Sequence, residues 1–218
     1  GEEWSKLVDL SRLLQGFEIS VPDGHADILE FNQKLSKYCK NHPSLVFNPK
    51  NNTTELVFQT ANMVNDDEFG PIADLMCAIG FCVEAYIEAH PISLGHPFLS
   101  QRPKDWTFDI WGTVLGSGGH QSSHIHRDGW LSGVYYTQLP DLISANTSNH
   151  AGWIEFGRQQ YYSKSQSRPM IQVFQPVEGK LFLFPSYFYH RTIPFNSEMQ
   201  RISISLSLIH SGRGRRRG

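Results

Sequence analysis

Cysteine is scarce in this chain: Cys39, Cys77 and Cys82 are an odd three in 218 residues, with no Cys-x-x-Cys pair. That excludes a disulfide framework and a cysteine zinc site, and it fits a reducing, cytoplasmic compartment. Cys77 and Cys82 share one apolar run, so buried packing is expected for both. No stretch reaches the roughly 20 apolar residues of a membrane-spanning helix, and Gly1-Glu2-Glu3 does not begin a signal peptide. The same start reads as a trimmed end, with any further domain lying upstream. Charge of one sign is lacking as well: a net charge of −2 gives no field to steer the protein to nucleic acid or anionic membrane. The exception is residues 211–218, which carry four Arg and leave the remainder at about −6 by the same count. That tail could attract RNA or an acidic partner, but a solvated or appended end is the reading taken. No Gly-rich phosphate loop and no Gly-x-Ser-x-Gly elbow is present.

What is present describes a globular chain. Hydrophobic residues make up 39% and charged ones 18%, enough for one sizeable core. Eighteen Gly, twelve Pro and 12% aromatics lean towards a turn-rich β architecture. Apolar residues at helical spacing predict helices over 2–15, 27–40 and 71–90, with short strands at 17–21 and 55–60. The helix at 71–90 is apolar enough to be expected against a sheet. From residue 106 the period becomes two, predicting strands over 106–115, 130–138, 151–156, 170–174, 180–184 and 201–209. Helices followed by many short strands indicate an α+β protein, mainly β, with a sandwich or barrel braced by N-terminal helices. Residues 1–105 would form the helical support, 106–210 the β core and 211–218 the tail.

The chemistry concentrates in Ser122-Ser123-His124-Ile125-His126-Arg127-Asp128-Gly129-Trp130. Side chains two apart on an extended segment face the same way, so His124 and His126 aim two imidazoles into one space. A third candidate, His190, follows the strand at 180–184 and the bend Phe184-Pro185-Ser186, with Ser186 near enough to orient it. Arg201 comes eleven residues later and opens Arg201-Ile202-Ser203-Ile204-Ser205-Leu206-Ser207-Leu208. Alternation puts Arg201, Ser203, Ser205 and Ser207 on one face. Such a face suits a barrel holding a polar ligand better than a dry core, although Ser205 and Ser207 would also suit a sheet edge. Trp111 and Trp130 read as core and Tyr135 as structural. His25, His42, His120 and His150 read as loop residues.

In order, His124 to Tyr136, Gly152-Trp153-Ile154-Glu155-Phe156-Gly157, Gly179 to His190 and Arg201-Ile202-Ser203 match a known pattern. The chain resembles the iron(II)/2-oxoglutarate-dependent oxygenases, closest to a branch with a His-x-His…His pattern that is often joined to TPR repeats. Phe17 to Pro22, Gln59-Thr60 and His96-Pro97-Phe98 extend the resemblance upstream. It implies a double-stranded β-helix (jelly roll) that uses Fe(II), 2-oxoglutarate and O2 to hydroxylate a C–H bond, releasing succinate and CO2. It also implies that Arg201 grips the far carboxylate of 2-oxoglutarate, with Tyr136 and Ser203 beside it. Arginine suits that task because its planar fork matches a carboxylate and never loses its charge.

Two metal triads stay open. His124, His126 and His190 follow the branch pattern, whereas His126, Asp128 and His190 would give a carboxylate that better balances Fe(II). Arg127 stands where the branch has proline. The competing reading is a cupin-like metal-binding or interaction module without oxygenase activity; such a module has no need of Arg201. The prime substrate is expected to be a peptide or a small molecule. Polar loops at 141–150 and 158–168, the latter with Tyr161, Tyr162 and Lys164, are expected to form the rim.

Overall fold

The computed structural model describes residues 6–48, 54–65, 70–145, 148–158 and 170–211. The arginine tail and most of the expected 158–168 rim therefore lie outside the described residues. Helix α1 (Leu10–Leu13) is capped by Asp9, whose side chain accepts from Arg12 N. Lys6 and Leu7 are helical too, but Val8 and Asp9 break the expected helix, and it ends at Leu13 because Gln15 already enters strand β1 (Gln15–Glu18), paired with a later strand. Helix α2 (Ile28–Asn41) begins at Asp27, whose carboxylate accepts from Glu30 N at 2.8 Å. It buries Phe31, Leu35 and Cys39, four residues apart. Strands β2 (Val46–Phe47) and β3 (Thr54–Gln59) follow.

Helix α3 (Pro71–Ala89) opens on a proline in its first turn, where the missing N–H costs nothing. It buries Ile72, Leu75, Ile79, Val83 and Tyr86, but it is not buried all round. Cys77 is exposed, against expectation, and Phe81 is 68% exposed. One face of α3 rests on α2 and the β core, and the other leaves Cys77 and Phe81 to solvent among the described residues.

Then come a 3-10 turn (Leu99–Gln101), β4 (Trp106–Gln121), β5 (Gly129–Gln138), α4 (Asp141–Ser144), β6 (Ile154–Phe156), β7 (Gln172–Phe174), β8 (Lys180–Pro185), β9 (His190–Thr192) and β10 (Arg201–His210). They form two antiparallel sheets, of seven strands in the order β1-β8-β5-β10-β4-β3-β2 and of three in the order β7-β6-β9. Phe156 on the small sheet meets Phe184 on the large one edge to face, ring centres 4.9 Å apart. This is the mainly β jelly roll expected. The strands expected near 17–21 and 55–60 are present and join the large sheet, β1 closing one side and β2–β3 the other. Among the described residues no helix is long and apolar enough to cross a membrane.

Strand β10 decides where the site lies. It sits mid-sheet between β5 and β4, so Ser205 and Ser207 are not at an edge. Ile204 pairs with Tyr135, whose hydroxyl donates to Asn32 Oδ1 on α2 at 2.7 Å. The Ile202, Ile204, Leu206 and Leu208 face is thus the helix-covered one, and all four are fully buried. Each such side chain stabilises the fold by about 1.5–3 kcal/mol through apolar burial. The Arg201 to Ser207 face points into the barrel.

Candidate metal centre

His124 and His190 come together through the backbone. The two residues form an isolated antiparallel bridge, each N–H donating to the other's carbonyl at 3.0 Å. His126 is fixed separately, its N–H donating to Ser186 O at 2.9 Å. One ligand atom from each ring lies within 4.8 Å of the others, an arrangement that can hold a metal ion. Asp128 is exposed in the turn leading to β5 and stands outside this group, so the geometry gathers the all-histidine set of the two left open.

The hydrogen bonds to the far nitrogens show which ring atoms face the centre. His124 Nδ1 donates to Ser122 O at 2.7 Å and His190 Nδ1 donates to Phe188 O at 2.9 Å. A carbonyl only accepts, so both rings carry their proton on Nδ1 and turn a lone pair on Nε2 inward. His126 Nδ1 instead meets two hydroxyls, Ser132 Oγ at 2.8 Å and Ser207 Oγ at 2.9 Å. Burial lowers the pKa of all three. For His126 the value falls to about 3, with the charge of His124 as the second cause. The rings are therefore neutral near pH 7, as metal ligation requires.

Arg201 is 2% exposed and lines the same pocket as the three histidines, together with Ser205, Val134 and Phe184. One guanidinium nitrogen donates to Ser203 Oγ at 3.5 Å, but Nε has no partner among the described residues. Two further buried hydroxyls lack a well-formed hydrogen bond there: that of Thr113, and that of Tyr136, which interacts with the Arg201 guanidinium. Register explains the grouping: Ser203 is paired with Thr113 on one side and Tyr136 on the other, so the three side chains share a face. Orphaned buried donors are costly, on the order of 1–3 kcal/mol each, and a cluster of them marks a ligand's place. Unsatisfied donors beside a buried cation fit the carboxylate of 2-oxoglutarate, and three neutral imidazoles with one ring nitrogen each within 4.8 Å of the others fit Fe(II).

Several residues sit elsewhere than the sequence suggested. Trp111, expected in the core, stands edge-on to His126 with ring centres 5.3 Å apart. Ser186 does not orient His190; its hydroxyl bonds Ser132 Oγ at 2.7 Å in the cluster beneath His126. His25 does lie in a loop, as expected, clasped between Glu30 and Asp74 at 3.1 Å from each. His120 belongs to β4. Thr113 was missed, since only the register of β4 against β10 puts it beside Tyr136.

The family model described as "Putative 2OG-Fe(II) oxygenase" matches residues 109–207. No curated protein matches the chain. Among solved structures it is similar to a Pseudomonas putida prolyl-4-hydroxylase, at 13% identity and TM-score 0.59, covering 96% of this chain and 100% of that one. A Trichoplax adhaerens prolyl hydroxylase, solved with a hypoxia inducible factor peptide, is 18% identical at TM-score 0.55, with 95% and 90% covered. HygX of Streptomyces hygroscopicus, with nickel and 2-oxoglutarate bound, is 8% identical at TM-score 0.60, with 95% and 87% covered. At such identities these structures speak to the fold alone.

Proposed function

We propose that this chain, whose residues 109–207 match the 2OG-Fe(II) oxygenase family model, is a dioxygenase that hydroxylates a C–H bond of a peptide or small molecule. The metal would be held by His124, His126 and His190. The far carboxylate of 2-oxoglutarate would be received by Arg201, with Tyr136 and Ser203 as further donors. The observation that carries the reading is the convergence of three neutral imidazoles on a pocket that also holds an incompletely partnered, buried guanidinium.

Bound Fe(II), with 2-oxoglutarate and O2, supplies a two-electron oxidation of the C–H bond, with succinate and CO2 as by-products. The chain's own residues do the rest. The Nδ1 bonds of His124 and His190 hold their Nε2 atoms inward before any metal arrives, so little reorganisation is needed. Arg201, buried and permanently charged, attracts a dianion and fixes its orientation through a two-pronged contact. Phe184, Val134 and Ile154 line the same pocket and keep bulk water from it. A peptide is the favoured prime substrate on the polarity of the sequence at 141–150 and the polarity and tyrosine content of the sequence at 158–168.

The test is conversion of 2-oxoglutarate to succinate by the purified chain with added Fe(II), first alone and then with a peptide library. Slow uncoupled turnover that disappears in Arg201→Ala is expected. No turnover and no 2-oxoglutarate binding would leave only a metal-binding jelly roll.

A further inference from the structure

The three candidate ligands differ in one respect that bears on how the site meets its metal. His124 and His190 are locked by carbonyls, which accept only. His126 faces hydroxyls, which both donate and accept. Ser132 Oγ lies 2.8 Å and Ser207 Oγ 2.9 Å from His126 Nδ1, and 3.1 Å from each other; Ser186 Oγ is 2.7 Å from Ser132 Oγ. These hydroxyls come from β5, β10 and the end of β8, and each residue is no more than 4% exposed. Gly129 makes room for them: a Cβ there would collide with Ser186 Oγ and stand 3.2 Å from Ser207 Cβ.

We infer that Ser132, Ser186 and Ser207 are positioning residues that let His126 alone change tautomer when a metal binds. The inference rests on the three-histidine reading above. In the metal-free protein three Nε2 lone pairs would face one space within 4.8 Å of one another, and the repulsion is relieved if one ring carries its proton on Nε2. His124 and His190 cannot do so without setting an Nδ1 lone pair against a carbonyl lone pair. His126 can, because Ser132 or Ser207 then rotates its hydroxyl and donates to Nδ1. On metal binding, Nε2 loses its proton to solvent, Nδ1 takes one up, and the hydroxyl turns back to accept. The ring stays neutral in both states, no net proton is released, and no heavy atom has to move. The serine cluster thus serves as a rotor for one ligand, while the other two are rigid.

The experiment is two-bond 1H–15N NMR of histidine rings in the full chain, metal-free and with Zn(II) as a diamagnetic probe. The expected result is His124 and His190 as Nδ1–H in both states, and His126 passing from Nε2–H to Nδ1–H. His126 as Nδ1–H already in the metal-free protein, or a switch at His124 or His190, overturns the inference while leaving the metal site standing. Failure of Zn(II) to move any of the three overturns the site with it. A double variant, Ser132→Ala with Ser207→Ala, is expected to weaken Zn(II) binding roughly tenfold, with Ser207→Thr restoring most of the loss. An affinity within twofold of wild type also overturns the inference. If the double variant does not fold, the wild-type spectra decide.

Discussion

The guanidinium carbon of Arg201 stands 5.0 Å from the ring centre of Tyr136, while Arg201 Nε is buried with no hydrogen-bond partner among the described residues and the Tyr136 hydroxyl interacts with nothing there but the guanidinium. The cation is thus stacked on an aromatic face with part of its hydrogen-bonding capacity unused. Burial lowers the pKa of Arg201, as expected for a charge kept from water with no anion beside it.

A buried charge without its counter-ion is a liability to the fold. Arg201→Met, assayed by thermal denaturation without metal or 2-oxoglutarate, should be at least as stable as wild type. The rise in Tm that 2-oxoglutarate gives the metal-loaded wild type should vanish in the variant. A large loss of stability in the ligand-free variant would show that Arg201 serves the core instead.

Neighbouring tyrosines should respond in opposite ways. Tyr135→Phe removes a buried bond to Asn32 and strands its Oδ1, costing about 1–3 kcal/mol of stability with little effect on 2-oxoglutarate affinity. Tyr136→Phe removes a hydroxyl that, among the described residues, interacts only with Arg201, so stability should change little while 2-oxoglutarate binding weakens by about tenfold, corresponding to ~1.4 kcal/mol. Denaturant titration and calorimetry on the same two variants read both effects.

Metal binding should depend on the histidines and not on Asp128. His126→Ala and His190→Ala should abolish Mn(II) binding in calorimetry, whereas Asp128→Ala, an exposed turn position, should keep it. Retention of tight binding in His126→Ala would sink both triads.

Acid should weaken the metal-free protein through the same rings. The unfolded imidazole titrates near 6.5 and folded His126 near 3, with His190 held well below its usual value by burial. Between those limits the unfolded chain binds protons that the folded chain does not, so stability is fully present above about pH 6.5 and falls as pH drops. The slope reaches ~1.4 kcal/mol per pH unit for each such ring. His126→Gln should show a shallower loss of Tm between pH 7 and 5. A slope equal to that of wild type would contradict the low value for His126.

The sequence by itself determined the β core and the chemical inventory of the site. A period of two after residue 106, His124 and His126 two apart, and the alternation from Arg201 to Leu208 are local patterns, and local patterns survive without coordinates. The tertiary structure decided what depends on register and long-range pairing. The bridge between His124 and His190 joins residues far apart in the chain. Pairing of β4 with β10 sets Thr113 beside Tyr136, and three strands meet to build the serine cluster under His126. Asp128 and His124 are both candidate ligands on paper, one on charge and the other on the family pattern; the turn that starts β5 leaves Asp128 exposed and the bridge sets His124 beside His190. Such choices rest on backbone hydrogen bonds between distant segments, which no single stretch of sequence encodes.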